Sequence, residues 1–457
     1  MATREAGGAQ GEPASAEVLA LRKCAEPGLR DALTTTIERA KNGPIEDRAL
    51  VDALWSCFSR FRPSQAGSSI SVVRDLVAAV LAVKDPSYGP KAIEKIEAPV
   101  ADPRDPHESM DQIQFWQLTS IRLLGELRHA PAARPLVRVL VEENKKDLTL
   151  PTRIALGRMP KESEPLLIAA LSGTDMELGQ LSSKSPDRAF VPRIADSIAT
   201  LGRPTGRDAI LDALAKANND SNRALLAIYL TYFPATARTL KAYQDTCAKM
   251  PNNAAIPMLG GANGRATLVN MAANFYDPTL VPFVLRENAT AKGDAADAMS
   301  AMALPAAMKL MMPEHAKAVA VEVNKIPGKA IEKDMYAAAL APLEACKKDV
   351  PCWLKELAKP IPSSPPAAKM GHVKAAWMVA MLGDPKHRSD LYKLMTTITD
   401  GSVRIALIEA LDHLSPNGDA AMADDIEKYV AQQKSIGLQA GLDEMFRLAL
   451  KLRARTL

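Results

Sequence analysis

The sequence predicts an all-α protein built as an α-solenoid of stacked helical hairpins. Three observations predict this fold: a hydrophobic fraction of 47% with only 4% aromatics, scarce β-type alternation, and a hairpin pattern that recurs about every 32 residues. Small, unbranched apolar residues have high helix propensity and allow close helix packing. Because each repeat packs only on its neighbours, an array accommodates 457 residues without one oversized core.

The repeating unit is a pair of helices of about a dozen residues each, marked by Leu-Gly and then by proline. The mark recurs at Leu124-Gly125, Leu156-Gly157, Leu201-Gly202 and Leu382-Gly383, and in altered form at Leu414-Ser415. Gly125 and Gly157 are 32 residues apart, as are Gly383 and Ser415. The interval from Gly157 to Gly202 is longer because a polar insertion, residues 174–188, lies between them.

Each residue of this pattern has a physical role. Glycine after the last leucine can take the left-handed conformation that ends a helix. Proline is tolerated in the first turn of the next helix, where its missing N–H costs nothing. Arg153, Arg193 and Arg404 stand near the starts of first helices. One helix alone cannot bury its apolar stripe, whereas stacked hairpins bury a continuous one.

The Leu-Gly pairs, the turn proline and the arginine before a small apolar run resemble the HEAT-repeat family, including the short repeats of bilin-lyase-like proteins. The resemblance covers residues 112–250 and 370–433 most clearly. It implies a right-handed superhelix whose second helices line a concave binding face. It implies little about activity, because family members bind diverse partners.

Domain organisation follows from where this pattern is clear. Residues 360–371, PIPSSPPAAKMG, contain four prolines and predict an extended hinge. The predicted segments are a disordered tail (1–16), an atypical N-terminal helical cap (17–111), a HEAT-like array (112–358), a Pro-rich hinge (359–371), and C-terminal HEAT-like repeats with a capping helix (372–457).

The charge balance is nearly neutral, with 57 basic and 53 acidic residues. A dedicated nucleic-acid binder is strongly basic, so no nucleic-acid partner is expected.

No apolar run reaches the roughly 18 residues that span a bilayer, so no transmembrane segment is expected. The first sixteen residues are polar and lack the apolar region of a secretory signal.

Five cysteines bear on the cellular compartment. Cys346 and Cys352 flank a turn that contains Pro351, so their Cα atoms can come within the roughly 4.4–6.8 Å that a disulfide requires. The alternatives are two buried thiols or a metal site, although no histidine or further cysteine stands nearby to complete four ligands. Cys24 and Cys57 form a second candidate pair. A disulfide favours a location outside the cytoplasm, in the periplasm or envelope; the cytoplasm is the alternative.

The sequence contains no strong motif for catalysis or cofactor binding. Asp424 and Asp425 are adjacent on a helix and therefore point to different faces, unlike paired catalytic carboxylates. The glycine-rich stretch at 259–267 does not fit the P-loop pattern. We therefore predict no catalytic residue, no metal ligand and no cofactor, and the sequence names no small-molecule ligand.

The leading hypothesis is a non-enzymatic scaffold or adaptor that binds a protein partner through the concave face. The predicted surface consists of Arg134, Arg138, Glu142 and Lys145. The resemblance also implies an alternative, a lyase or enzyme-accessory protein of the bilin-lyase-like class, which would need a tetrapyrrole pocket. A HEAT-like DNA-repair protein is a further alternative, but the second helices carry mixed or acidic charge where DNA would require a basic face.

Overall fold

The computed structural model describes residues 14–65, 70–183, 190–293, 295–434 and 440–457. These residues are helical apart from turns and one short antiparallel pair, β1 (Ala255–Ile256) with β2 (Ala262–Asn263). The all-α class is therefore confirmed. The contacts divide the chain into two compact units, which end and begin at Met159 and Pro160. The predicted tail, residues 1–16, lies almost wholly outside the described residues.

The first unit contains nine α-helices within the described residues. They are α1 (Ala16–Lys23), α2 (Leu29–Lys41), α3 (Arg48–Arg60), α4 (Ile70–Val83), α5 (Tyr88–Glu97), α6 (Pro106–Glu108), α7 (Leu118–Leu127), α8 (Ala133–Val141) and α9 (Thr149–Gly157). A π-helix, Ser109–Gln117, joins α6 to α7, and 3₁₀ helices lie at Ala130–Ala132 and Glu143–Leu148. An aromatic cluster fills the core, and the Trp116 indole donates to the Phe58 carbonyl.

The second unit continues the series of paired helices. They are α10 (Pro160–Ser172), α11 (Met176–Ser183), α12 (Phe190–Leu201), α13 (Pro204–Ala215), α14 (Asp220–Leu230), α15 (Ala237–Lys249), α16 (Gly264–Met271), α17 (Val281–Thr290), α18 (Ala295–Leu310), α19 (Ala316–Asn324), α20 (Ile331–Cys346), α21 (Val350–Leu357), α22 (Met370–Leu382), α23 (Arg388–Thr397), α24 (Gly401–His413), α25 (Ala420–Lys434) and α26 (Leu442–Ala454). Its 3₁₀ helices are Pro257–Leu259, Ala272–Phe275, Pro278–Leu280, Pro313–His315, Pro366–Lys369 and Pro385–His387.

The Leu-Gly marks do not all act as predicted. Gly202 follows α12 with φ +65°, so it ends that helix in the left-handed conformation. Gly125 instead lies inside α7, where a Cβ would come within 2.9 Å of the Ala155 Cα. Its role is close helix approach, and Arg128 takes the left-handed position that ends α7. The predicted prolines do open helices, since Pro160 begins α10 and Pro204 begins α13.

The first helices of the second unit form a closed circuit. From α12, each packs on the next in the order α14, α16, α18, α20, α22, α24 and α26, and α26 packs back on α12. Arg447 of α26 pairs with Asp196 of α12 at 3.4 Å, and Arg455 Nε donates to the Gly202 carbonyl at 3.1 Å. The row therefore closes on itself, and the open right-handed superhelix is not confirmed for this unit.

The proline-rich segment is packed rather than free-standing. Its 3₁₀ helix, Pro366–Lys369, lies against α20, and Gly371 allows an approach so close that a Cβ would meet the Ala338 carbonyl oxygen at 3.0 Å. The segment lies inside the second compact unit, so it does not separate two units as a hinge would.

The predicted domain boundary between residues 111 and 112 lies inside the π-helix Ser109–Gln117. Within the part of the chain that the structure describes, no helix is long and apolar enough to cross a bilayer.

One ion pair in this segment should make stability depend on acid pH. Lys369 Nζ lies 2.6 Å from Asp400 Oδ2, and Asp400 also caps α24 by accepting from the Ser402 and Val403 amides. Burial acts to raise the pKa of Asp400, but its hydrogen bonds from Lys369 and Ser402 outweigh this and lower the pKa to about 2. Because the folded pKa lies below the unfolded value, the stabilisation is complete above about pH 4 and is lost as pH falls towards 2.

We therefore expect Asp400→Asn to destabilise the protein at pH 7, with the difference from wild type shrinking between about pH 4 and 2. Asparagine caps helices as well as aspartate does, so the substitution removes the charge and keeps the cap. Urea unfolding across this pH range measures the difference, and Lys369→Met should reproduce it. A difference that is constant with pH in both variants would contradict the assignment.

Candidate functional site

The predicted partner surface lies on and just after α8, in the first unit. Arg134 is exposed, and Arg138 is partly exposed with its guanidinium 3.7 Å from the Glu97 carboxylate. Glu142 is half-buried, and its carboxylate lies 3.0 Å from the ammonium of Lys145. Lys145 is only 3% exposed and donates to the Ile96 carbonyl at 2.8 Å. The placement of Lys145 on an accessible surface is therefore wrong, because its ammonium caps the end of α5.

The structure pairs four of the five cysteines as disulfides. Cys346 and Cys352 are joined across the turn between α20 and α21, with Cα atoms 5.4 Å apart. Cys24 and Cys57 join the end of α1 to α3, with Cα atoms 5.2 Å apart. Cys247 is buried and free, and burial raises its pKa to about 12. The one unpaired thiol is thus protonated at neutral pH and a weak nucleophile.

A carboxylate oxygen of Glu356 lies within 4.8 Å of the sulfur atoms of Cys346 and Cys352. Metal ions bind the thiolate form of cysteine. While the disulfide is intact, the carboxylate of Glu356 is the only remaining member of this cluster that can act as a metal ligand.

The second unit contains a cavity of about 280 Å³ between the C-terminal ends of its first helices. The lining comes from α12, the residues just after α14 and α16, one face of α24, and α26. The closure of the circuit creates this cavity, because α26 would not face α12 and α14 in an open stack. Helix C-termini present carbonyls without partners in their own helix, so this end of the unit needs hydrogen-bond donors.

Three basic side chains supply those donors. Lys451 Nζ donates to the Tyr232 carbonyl at 3.2 Å, and Arg455 donates to the carbonyls of Gly202 and Ser415. Asp412 balances both cations, at 2.6 Å from Lys451 Nζ and 2.7 Å from Arg455 Nη1. Lys374 of α22 is fully buried and donates to the carbonyls of Lys309 and Met311 at the end of α18.

The pKa shifts follow from this burial. Burial lowers the pKa of Lys451 to about 8, even though Asp412 stabilises its charged form. Burial acts to raise the pKa of Asp412, but Arg455 and Lys451 hold it below its usual range. At neutral pH the aspartate is therefore ionised and Lys451 is mainly protonated. The group is therefore an ion-paired network that caps helix ends.

Two rings of the cavity lining, Tyr276 and His413, belong to an aromatic cluster. The Tyr276 ring stacks on Trp377, with centroids 5.0 Å apart, and contacts the His413 ring at 4.4 Å. The Trp377 indole donates to the Ala273 carbonyl, and Lys309 directs its ammonium at the Trp377 ring from 4.6 Å. Tyr276 is 7% exposed, yet its hydroxyl has no hydrogen-bond partner among the described residues.

Two groups on α24 complete the site. Glu409 and His413 are one helical turn apart, and both line the cavity. Burial raises the pKa of Glu409, and burial lowers the pKa of His413, so the imidazole is neutral at pH 7. Together they offer a carboxyl group and a neutral imidazole to whatever enters. This arrangement can bind a small polar molecule and can accept or donate protons.

Sequence reasoning did not find this site. The lining residues come from five parts of the chain, and Arg447 of the lining lies 251 positions from its partner Asp196. One signal was available: in the strongly apolar helix MGHVKAAWMVAML, Lys374 is the single Lys, Arg, Asp or Glu. A charge at such a position is buried and needs a polar partner from another element.

Comparison with known proteins finds no family model that matches the chain and no curated protein with a matching sequence. The HEAT-repeat resemblance therefore depends on the hairpin pattern alone and stays a prediction.

The two disulfides should contribute unequally to stability. Their cysteines are 33 and 6 residues apart, so the longer loop restricts the unfolded chain more. In the chain-entropy description the contributions are about 3.7 and about 2.2 kcal/mol. We expect the Cys24→Ser/Cys57→Ser variant to lose more unfolding free energy than Cys346→Ser/Cys352→Ser, as measured by urea unfolding. The reverse order would contradict this description.

Asp412 should be far more important for stability than an exposed acid in a similar pair. Asp412→Asn leaves two buried cations without their carboxylate, so we expect a loss of about 3–5 kcal/mol. Asp424→Asn is the matched control, because Asp424 pairs with Arg453 from a side chain that is 72% exposed. It should cost less than about 1 kcal/mol. Equal losses in urea unfolding would contradict the network described above.

Proposed function

We propose that this protein is a non-enzymatic scaffold that binds a protein partner through the outer surface of α8. One face of this helix is fixed by burial of Leu136, Val137 and Leu140. A rigid helix with one buried face presents its opposite face in a constant geometry, as recognition requires.

The observation that best supports a protein partner is the mixed charge of this surface. Arg138 of α8 and Glu97 of α5 face each other at 3.7 Å, and both side chains remain more than a third exposed. The exposed Arg134 lies one helical turn before Arg138. A surface with both signs complements a protein with both signs, whereas DNA demands a continuous basic face.

The cavity of the second unit gives little support to the lyase alternative. Pockets for drug-sized ligands usually measure about 300–1,000 Å³, and this cavity, at about 280 Å³, lies below that range. Its cations pair with Asp412 and with helix-end carbonyls, which is a structural role. Both points favour a binding protein over a tetrapyrrole-handling enzyme.

The two disulfides support a site of action in an oxidising compartment, such as a periplasm or cell envelope. Alkylation of the native protein before lysis, followed by mass mapping of each cysteine, checks this part of the proposal. Free thiols at Cys346 and Cys352 would contradict it.

The proposed surface is tested by charge reversal at Arg134 and Arg138. Reversal of rim charges weakens binding by electrostatic repulsion, so we expect Arg134→Glu/Arg138→Glu to reduce capture of a specific partner at least about tenfold. Quantitative cross-linking and mass spectrometry in native lysate measures the capture. Arg74→Glu is the control, since the Arg74 side chain is 74% exposed on a different helix, α4.

Thermal unfolding of both variants checks that the fold is retained, because Arg138→Glu replaces an ion pair with Glu97 by two like charges. If the double variant captures the same proteins in the same amounts as wild type and Arg74→Glu, the α8 surface is not the binding face.

A further inference from the structure

The turn between α20 and α21 brings together three side chains of the kinds that bind metal ions. One ligand atom each of Cys346, Cys352 and Glu356 lies within 4.8 Å of the other two. Cys352 and Glu356 are one helical turn apart and share a face of α21, and Cys346 is the last residue of α20. Sequence spacing identifies the two cysteines, and the fold adds the carboxylate as a third ligand.

Hydrogen bonds that do not involve sulfur hold this turn in shape. The Asp349 amide donates to the Cys346 carbonyl at 2.8 Å, and the Trp353 amide donates to the Asp349 carbonyl at 3.2 Å. The Trp353 indole is fully buried and donates to the Lys347 carbonyl at 3.0 Å. We therefore expect the two cysteine side chains to remain adjacent when the disulfide between them is reduced.

Reduction by a dithiol converts the cysteine pair into two metal ligands. The dithiol passes two electrons and two protons to the disulfide, so the bond between Cys346 and Cys352 breaks and two thiols form. The dithiol itself leaves as a disulfide. A divalent metal ion then displaces the two thiol protons, because cysteine binds metal ions as the thiolate.

We propose that the reduced form of this turn binds Zn²⁺ through the sulfur atoms of Cys346 and Cys352 and a carboxylate oxygen of Glu356. Thiolate ligands select Zn²⁺ over Mg²⁺ and Ca²⁺, which bind through oxygen atoms. Zn²⁺ accepts sulfur and oxygen ligands in one tetrahedral site at about 2.0–2.3 Å, so two such ligands are about 3.3–3.8 Å apart. Ligand atoms that already lie within 4.8 Å of one another reach this spacing by rotation of their side chains.

The proposed site lies at the surface, where an ion can enter. Cys346 is 2% exposed, whereas Cys352 is half-buried and the Glu356 side chain is 21% exposed. The Glu356 carboxylate accepts hydrogen bonds from Lys359, whose side chain is 59% exposed. An ion pair this exposed contributes little free energy, so Lys359 does not exclude the metal. Three protein ligands leave the fourth position of a tetrahedral ion to water.

The metal gives the turn a second way to be cross-linked. The disulfide joins α20 to α21 in the oxidised chain, and Zn²⁺ joins the same two helices in the reduced chain. The cysteine mapping described under the proposed function measures which state prevails in the native cell. Binding at the α8 surface does not depend on this turn, so the two proposals can fail independently.

The test uses Co²⁺ as a spectroscopic probe, because its thiolate complexes absorb in the near ultraviolet and its tetrahedral complexes absorb strongly in visible light. The full chain is reduced with a phosphine, which is removed under anaerobic conditions, and is titrated with Co²⁺ at pH 7. We expect one Co²⁺ per chain to bind with both absorptions, and Zn²⁺ to abolish them by displacement. The oxidised chain should show neither absorption.

Two cysteine variants show which sulfur atoms bind the metal. Cys346→Ser/Cys352→Ser should lose the thiolate absorption after reduction, because both sulfur ligands are removed. Cys24→Ser/Cys57→Ser is the matched control and should keep the absorption, since it removes the other disulfide and leaves the turn unchanged. Circular dichroism checks that each variant retains its helices.

The carboxylate ligand is tested separately. Glu356→Gln should lower the affinity for Co²⁺ about tenfold or more, because a neutral amide is a weaker ligand than a carboxylate. This variant keeps both cysteines, so it reports on the site even if the double serine variant fails to fold. Glu344→Gln is the control, since Glu344 is an exposed glutamate of α20 that is not part of the cluster.

The proposal is overturned by any of three results. Absence of thiolate absorption in the reduced wild-type chain would show that the turn binds no such metal. The same absorption in Cys346→Ser/Cys352→Ser would place the metal on other cysteines. Equal Co²⁺ affinity in wild type, Glu344→Gln and Glu356→Gln would show that the carboxylate is not a ligand.

Discussion

The structure depends on how the carbonyl groups at helix C-termini obtain hydrogen bonds. A helix leaves its last four carbonyls without partners inside the helix, and a packed array buries many of these ends. Here the donors come from a neighbouring helix: Lys374 reaches the end of α18, and Lys451 reaches the residues after α14. Lys145 does the same for α5 in the first unit. Each such residue joins two helices and satisfies a buried polar end.

A buried cation brings a second requirement, because its charge must be balanced where water is excluded. Asp412 and Glu142 meet this requirement beside Lys451 and Lys145. In the second unit, Asp412 is the ion-pair partner of Lys451 and Arg455. Glu409 lies on the same face of α24 and forms no ion pair among the described residues, although Lys309 and Lys451 both act to lower its pKa.

The local sequence pattern predicts the helices well, but it does not predict the residues that line the cavity. The Leu-Gly and Pro patterns reflect contacts within one hairpin. The sequence therefore predicts directly that helices begin at residues such as Pro160 and Pro204. The curvature of the row depends on small rotations between repeats, which no single motif encodes, so the return of α26 to α12 had no periodic signal. The burial of Lys145 has a related cause: a 3₁₀ helix follows α8 and directs this side chain inward, which the hairpin pattern does not encode. The contacts of Tyr276 with Trp377 and His413 likewise join residues that are distant in the sequence.

The closed circuit also changes how the second unit can fold. In an open array each repeat is stabilised by its neighbour, and the ends can fray one repeat at a time. When the last helix packs on the first, every first helix has two neighbours, and the contacts between α12 and α26 span about 250 residues of sequence. Such long-range contacts slow folding, because the intervening chain must be ordered before they form. We therefore expect the helices from α12 to α26 to fold cooperatively, and on the ribosome the circuit cannot close before α26 has emerged.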